Sequence, residues 1–166
     1  MAESKNLKQA QATFATLRQA FDRHGWHYKM DEEKLSIECT AQGDDLPMQI
    51  DVRVDADRMI VLLFSHLPFI IQENKRIDVA IAVSAVNNAL VDGSFDYDFS
   101  SGHMFFRMTN SFIESEISEE VFSYMLFCSC QTIDEYNDKF LMLSKGLISI
   151  NQFLATLQKR GGDNDD

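Results

Sequence analysis

Residues 77–108 read IDVAIAVSAVNNALVDGSFDYDFSSGHMFFRM, and the architecture follows from them. Ile77, Ala80, Ile81, Ser84, Ala85 and Asn88 fall along one side of a helix predicted from about Glu73 to Leu90. Val79, Ala82, Val83 and Val86 occupy the other sides, so little of this helix can face water. Asp92-Gly93 stops it, and the period changes to two. The segments FDYDF and HMFFRM, joined by Ser-Ser-Gly, read as a hairpin. A two-residue Ser101-Gly102 loop, with Gly102 supplying the positive φ, pairs Phe99 with Met104, Tyr97 with Phe106, Asp96 with Arg107 and Phe95 with Met108. Phe95, Tyr97 and Phe99 then share an apolar face with Met104, Phe106 and Met108. The other face carries the Asp96 to Arg107 ion pair and one aromatic, Phe105. A slip by one residue would mix the faces, so burial holds the register.

Upstream of this stretch, Leu7, Ala10, Phe14, Leu17 and Phe21 draw one apolar stripe along a helix that Gly25 terminates. From Trp26 the pattern alternates. A short strand over Trp26 to Met30 reverses at Asp31-Glu32-Glu33 into a strand in which Leu35, Ile37 and Cys39 point inward. After Gly43-Asp44-Asp45, Met48, Ile50, Val52 and Val54 alternate with polar residues, and a tight Asp55-Ala56-Asp57 turn leads into MIVLLF. That run has no polar side, so it is predicted to be a central strand covered on both faces. The connections are too short for crossovers, which makes the meander antiparallel. Pro68 ends it.

Downstream, Ser118-Glu119-Glu120 caps a third helix that runs toward Phe140 and Lys145, with a break near Thr132 allowed by its Thr-x-x-Glu pattern, and ends at Gly146. Ser149 and Gln152 form a capping box for a last helix to about Lys159. The expected class is therefore α+β: an antiparallel sheet built from a meander plus a hairpin, flanked by helices, in the order α-β(3-4)-α-β-β-α-α. One domain spans residues 1–160, and 161–166 form a disordered acidic tail.

Net charge is −11 over 166 residues, yet residues 1–29 hold five Lys or Arg against two Asp or Glu. The rest of the chain is thus still more acidic, and such a field repels phosphate backbones and anionic lipid. Nucleic acid and membrane are excluded as partners on this ground. The apolar segment 59–71 is broken by Ser65, His66 and Pro68 and falls short of the ~20 residues a span needs. Cys39, Cys128 and Cys130 are an odd number, and the start MAESKNLKQ is polar, which points to free thiols in a reducing cytoplasm.

The segment AVNNALVDGSFDYDFSSGHMFFRM resembles the YbjN family, whose fold is similar to the type III secretion chaperones, small acidic dimers that hold effector proteins. The likeness rests on Asn87, Gly93, Phe95, Gly102 and Arg107, and Gly146 to Leu154 also fits the family's ending. It implies a protein-binding or sensory-transduction regulatory role and brings no catalytic motif with it.

Chemistry adds no competing motif. His24, His27, His66 and His103 show no i,i+4 pairing, Asp55 and Asp57 lack the glycine and closing glutamate of a calcium loop, and no phosphate-binding or nucleophile-elbow motif occurs. No catalytic, cofactor-binding or metal-ligating residue is expected. The preferred reading is a non-enzymatic protein-binding module acting as a homodimer, because the helix over 73–90 has too little polar surface to stand alone. Its rival is a small-molecule binder or hydrolase with an unrecognised acidic pocket. Phe64, Leu67, Phe69 and Ile71, at the exit of the central strand, are the candidate contact surface for a protein partner, with core packing as their alternative use. A partner segment is expected to be extended or amphipathic, with basic residues beside its apolar anchors.

Overall fold

The computed structural model describes residues 2–161, with side chains over 5–158. Helix α1 (Ala2–Arg23) leads into β1 (Tyr28–Asp31), β2 (Ser36–Gln42), β3 (Pro47–Asp55) and β4 (Ile60–His66). A 3₁₀ turn, Glu73–Lys75, opens α2 (Arg76–Ala89), followed by β5 (Ser94–Tyr97), β6 (Met104–Ser111), α3 (Glu119–Ser144) and α4 (Ile150–Gly161). The strands form one antiparallel sheet in the order β1-β2-β3-β4-β6-β5. The α+β class and the element order are as the sequence predicts. Helix α4 runs through Gly161, the first residue assigned to the tail, and the remaining tail residues, 162–166, lie outside the described residues.

The meander turns are built twice on one plan. Asp31 Oδ1 accepts the backbone N–H groups of Glu33 and Lys34, and Asp55 Oδ1 accepts those of Asp57 and Arg58. Each turn closes on an apolar residue at positive φ, Leu35 at 50° and Met59 at 56°, whose side chain is buried. The buried Leu35 therefore sits in the turn rather than in β2, and Met59 precedes β4. Such a φ strains a γ-branched or linear side chain, and burial of that side chain offsets the strain.

One face of the sheet holds the core. Ile37, Ile50, Val52, Val61, Leu63 and Phe106 are almost wholly enclosed, and α1, α2 and α3 pack there. On the opposite face no strand residue is buried. This corrects the reading of 59–64 as covered on both sides: β4 is central in the sheet, but Ile60, Leu62 and Phe64 lie on the face that, among the described residues, carries no helix.

The hairpin is also corrected. Phe95 faces Phe106, Asp96 faces Phe105 and Tyr97 faces Met104, two residues out from the predicted register. A slip of two preserves the faces. Its cause is Asp98, whose carboxylate accepts from the Ser100 and Ser101 hydroxyls and the Ser100 N–H, building a four-residue loop where two residues were expected. Phe99 is drawn into that loop and leaves the apolar face, 53% exposed. The Asp96 to Arg107 pair survives on the diagonal at 3.0 Å.

Helix α3 is unbroken, because Phe122, Leu126, Ser129, Ile133, Tyr136 and Phe140 keep one buried stripe through Thr132. A core hydrogen bond of 2.6 Å between Ser129 and Ser65 ties it to β4. Its end is a complete Schellman turn: Gly146 N–H donates to Leu143 and Leu147 N–H to Met142, with Gly146 at φ 71°. The Ser149/Gln152 capping box forms as read, with both reciprocal bonds, at 2.8 and 3.2 Å.

Candidate interaction surfaces

Asn87 projects from the last turns of α2 against the edge of the sheet. Its amide donates to Phe95 O at 2.9 Å and accepts from Phe95 N–H at 2.8 Å, so one side chain stands in for a neighbouring strand. This closes the outer edge of β5 where it would otherwise offer free backbone groups. Gly93, at φ 72°, lets the chain enter β5 flat against β6, since a Cβ there would lie 2.3 Å from the Phe106 ring. Gly102, at φ 80°, receives the Ile71 N–H on its carbonyl at 2.9 Å, and a Cβ would lie 2.4 Å from the Ile71 oxygen. These residues, with the buried Phe95 and the Asp96-paired Arg107, assemble the junction of α2 and the hairpin.

The four residues singled out as a contact surface separate. Leu67 and Ile71 are core, at 6% and 0% exposure, because the segment after β4 is bonded to β6 through Leu67 N–H to Met104 O and to the hairpin loop through Ile71. Neither offers surface to a partner. Phe69 is half-buried against the core, and Phe64 stands on the bare face of the sheet.

Two uncovered apolar surfaces do emerge. The first is the outer side of α2, where Ile77 is 68% and Ile81 46% exposed, while Val79, Ala82, Val83 and Val86 point into the core. Together with Phe99 of the hairpin loop and Leu154 of α4 they line a shallow depression of about 710 Å³ whose residues include no ionisable side chain. Small residues along it, Ala80, Ser84 and Ala85, leave the backbone approachable.

The second is the bare face of the sheet. Ile60, Leu62 and Phe64 form a spine along β4, and Phe105 of β6 packs on Phe64 edge to face with ring centroids 5.5 Å apart. Asp51 lies directly across from Phe64, and its Oδ2 bonds His66 Nε2 at 3.0 Å, setting the imidazole against Phe105. Asp51 Oδ1 is enclosed and has no hydrogen-bond partner among the described residues. Asp51, Phe64, His66 and Phe105, with Ser36, Glu38 and Arg53, line a depression of about 300 Å³. The sequence signal for this surface is the missing polar alternation in 59–64, which marks a strand with an uncovered apolar side.

Two of the three thiols are quiet. Burial pushes the Cys39 thiol up to about 12 and that of Cys130 to about 11. Among the described residues no three His, Cys, Asp or Glu side chains are grouped to hold a metal ion, and no helix is long and apolar enough to cross a membrane.

E. coli YbjN, described as "a putative transcription regulator", superposes with a TM-score of 0.55 at 14% identity, over 76% of this chain and 92% of that one. ExsC, in its complex with ExsE, gives 0.55 at 14% identity over 75% and 90%. The HopA1–SchA chaperone–effector complex gives 0.49 at 14% over 75% and 91%. At these identities the likeness is one of fold. No curated protein matches the sequence. The model of the YbjN family, described as "Putative bacterial sensory transduction regulator", matches residues 13–142, from within α1 to within α3 and well over half the chain. The chain belongs to the YbjN family.

Proposed function

We propose that the chain is a non-enzymatic protein-binding module, chaperone-like or regulatory, that works in the cytoplasm as a homodimer of single domains spanning residues 1–160. The observation that carries this reading is the outer side of α2. Isoleucines this exposed are costly to leave wet, each side chain gaining roughly 1.5–3 kcal/mol on full burial. A chain of net charge −11 repels its own copies almost everywhere. The α2 depression, free of ionisable side chains, is where two copies meet without that repulsion, and an isologous contact covers both patches at once. Protein binding is supported by the family's regulatory description and by the fold shared with ExsC, a protein seen in complex with ExsE. The surface depressions are shallow, and no observation favours the small-molecule or hydrolase reading.

Sedimentation equilibrium at micromolar concentration tests the dimer. The wild type is expected at about twice 19.0 kDa, and Ile81→Asp at the monomer mass with an unchanged far-ultraviolet circular dichroism spectrum. A wild-type mass of 19.0 kDa across the concentration range would overturn the assembly.

A further inference from the structure

Resting on the protein-binding reading above, we propose that α4 is a detachable occupant of the groove between α2 and α3. Once it leaves, the groove takes an amphipathic helix of another protein that carries the anchors of α4, Ile-x-x-Phe-Leu-x-x-Leu.

Three of the four helices are tied to the rest of the fold by polar bonds. In α1, Gln9 donates to Phe112 O at 2.8 Å and Arg23 pairs with Glu119 at 2.9 Å. In α2, Asn87 bonds both backbone groups of Phe95, and Arg76 donates to Ser100 O at 2.7 Å. In α3, Ser129 bonds Ser65, and Asp134 Oδ1 accepts the Asp44 N–H at 2.8 Å. Helix α4 differs. Among the described residues its side-chain hydrogen bonds close on the helix itself, through the Ser149 and Gln152 box and from Thr156 to Phe153 O. Its seat is apolar: Phe153 is wholly enclosed with its ring 5.2 Å from that of Phe140, Ile150 and Leu157 pack beside it against the core, and Leu154 borders the outer side of α2.

No strand depends on this helix. The sheet is complete from β1 to β6, with α1, α2 and α3 packed on it, and α4 rests on α2 and α3. It comes last in the chain, after a corner in which Leu147 is 72% exposed, so it can swing out without breaking a strand or opening a loop. An element attached in this way opens locally while the remainder stays folded. Opening bares the Phe140 ring.

The chemistry of the second occupant is read from the first. Ile150, Phe153, Leu154 and Leu157 stand at i, i+3, i+4 and i+7 and form one stripe, while the exposed Asn151, Gln152, Ala155, Thr156 and Gln158 carry no charge. The groove therefore selects by the shape of the anchors, with the aromatic one at its centre. A partner helix with that stripe finds the seat over Phe140 already formed and competes with α4 for it. Tethered by its short linker, α4 competes at an effective concentration of about millimolar, so a helix that binds weakly is kept out.

The test uses the full-length chain. Native-state hydrogen exchange of the wild type should show the α4 amides exchanging at least about 100-fold faster than those in the middle of α3. The probe for the groove is a fluorescein-labelled synthetic helix of about 14 residues, with the four anchors at the α4 spacing on an alanine, glutamine and lysine background. Fluorescence anisotropy should show it bound at least about 10-fold tighter by Phe153→Ala, whose own α4 is unseated, than by the wild type. The same helix with alanine for its phenylalanine should bind at least about 10-fold more weakly. Both measurements, repeated in an Ile81→Asp background, should be unchanged, which separates this groove from the contact between copies. Exchange of α4 in step with α3, equal binding of the probe by wild type and Phe153→Ala, equal binding of the two probes, or no binding of either overturns the proposal even where the wild type is dimeric. Loss of the wild-type circular dichroism in Phe153→Ala also overturns it, by making α4 part of the folding core.

Discussion

Asn87→Ala removes two hydrogen bonds to the backbone of one residue and so probes the junction of α2 with the sheet. The bonds to Phe95 are 2.9 and 2.8 Å long in a partly buried setting. Each contributes about 1–1.5 kcal/mol net, or about 2–3 kcal/mol for the pair. Alanine in the last turns of a helix returns about 0.5 kcal/mol of propensity. The net loss is about 1.5–2.5 kcal/mol, which for a chain of this length lowers the melting temperature by roughly 3–10 °C. Asn87→Asp separates hydrogen bonding from size. Its carboxylate can still accept the Phe95 N–H but places a second acceptor against the Phe95 carbonyl, so it should cost at least as much as alanine above the ordinary carboxylate pKa. Urea denaturation of the three proteins reads both differences. Melting of Asn87→Ala within about 1 °C of wild type, or Asn87→Asp more stable than Asn87→Ala at neutral pH, would refute the reasoning.

Gly102→Val adds a Cβ to a residue at φ 80° with the Ile71 oxygen 2.4 Å from that position, and should lose about 2–4 kcal/mol; wild-type stability in urea would contradict it. The Asp98 carboxyl is held well below the usual range by the hydroxyls of Ser100 and Ser101. A carboxyl depressed in the folded state stabilises above its unfolded value of about 3.9, and that contribution is lost only as pH falls through its lower folded value. Carbon-13 NMR should therefore find Asp98 still ionised at about pH 3, whereas a midpoint near 4 would show the hydroxyl bonds are not kept. With their thiols raised by burial, Cys39 and Cys130 should resist iodoacetamide at neutral pH until the chain unfolds, and labelling of either at the denatured rate would show that the core opens there.

Much of the fold was legible because it follows from local chemistry. The capping box at Ser149 and Gln152, the cap at Ser118 and the stop at Gly146 form where residue type alone places them. The hairpin shows the limit. Alternation fixes which residues share a face, but a slip of two changes no face, and the choice went to Asp98 through hydroxyl bonds two and three residues ahead. Helix α3 passes Thr132 because a buried stripe outweighs a local capping signal. On the candidate surfaces, the apolar side of α2 could be read from helical spacing. The fate of Leu67 and Ile71 could not, since their burial depends on hydrogen bonds to residues more than 30 positions away. Polar alternation missing from β4 is visible in the sequence, but whether a helix of the same chain covers that face is settled only by the path of the chain.

The most direct test of the account asks where the copies meet. A nitroxide label on Asn88→Cys, in a chain with Cys39, Cys128 and Cys130 replaced by alanine, places one probe at the rim of the α2 depression in each protomer. Helices packed face to face lie about 8–10 Å apart, so double electron–electron resonance should give one short distance for Asn88→Cys and a clearly longer one for Gln49→Cys on the bare sheet face. Adding Ile81→Asp should abolish both. No dipolar coupling at any concentration, or a shorter distance from Gln49→Cys than from Asn88→Cys, would contradict the assignment of α2 as the dimer surface.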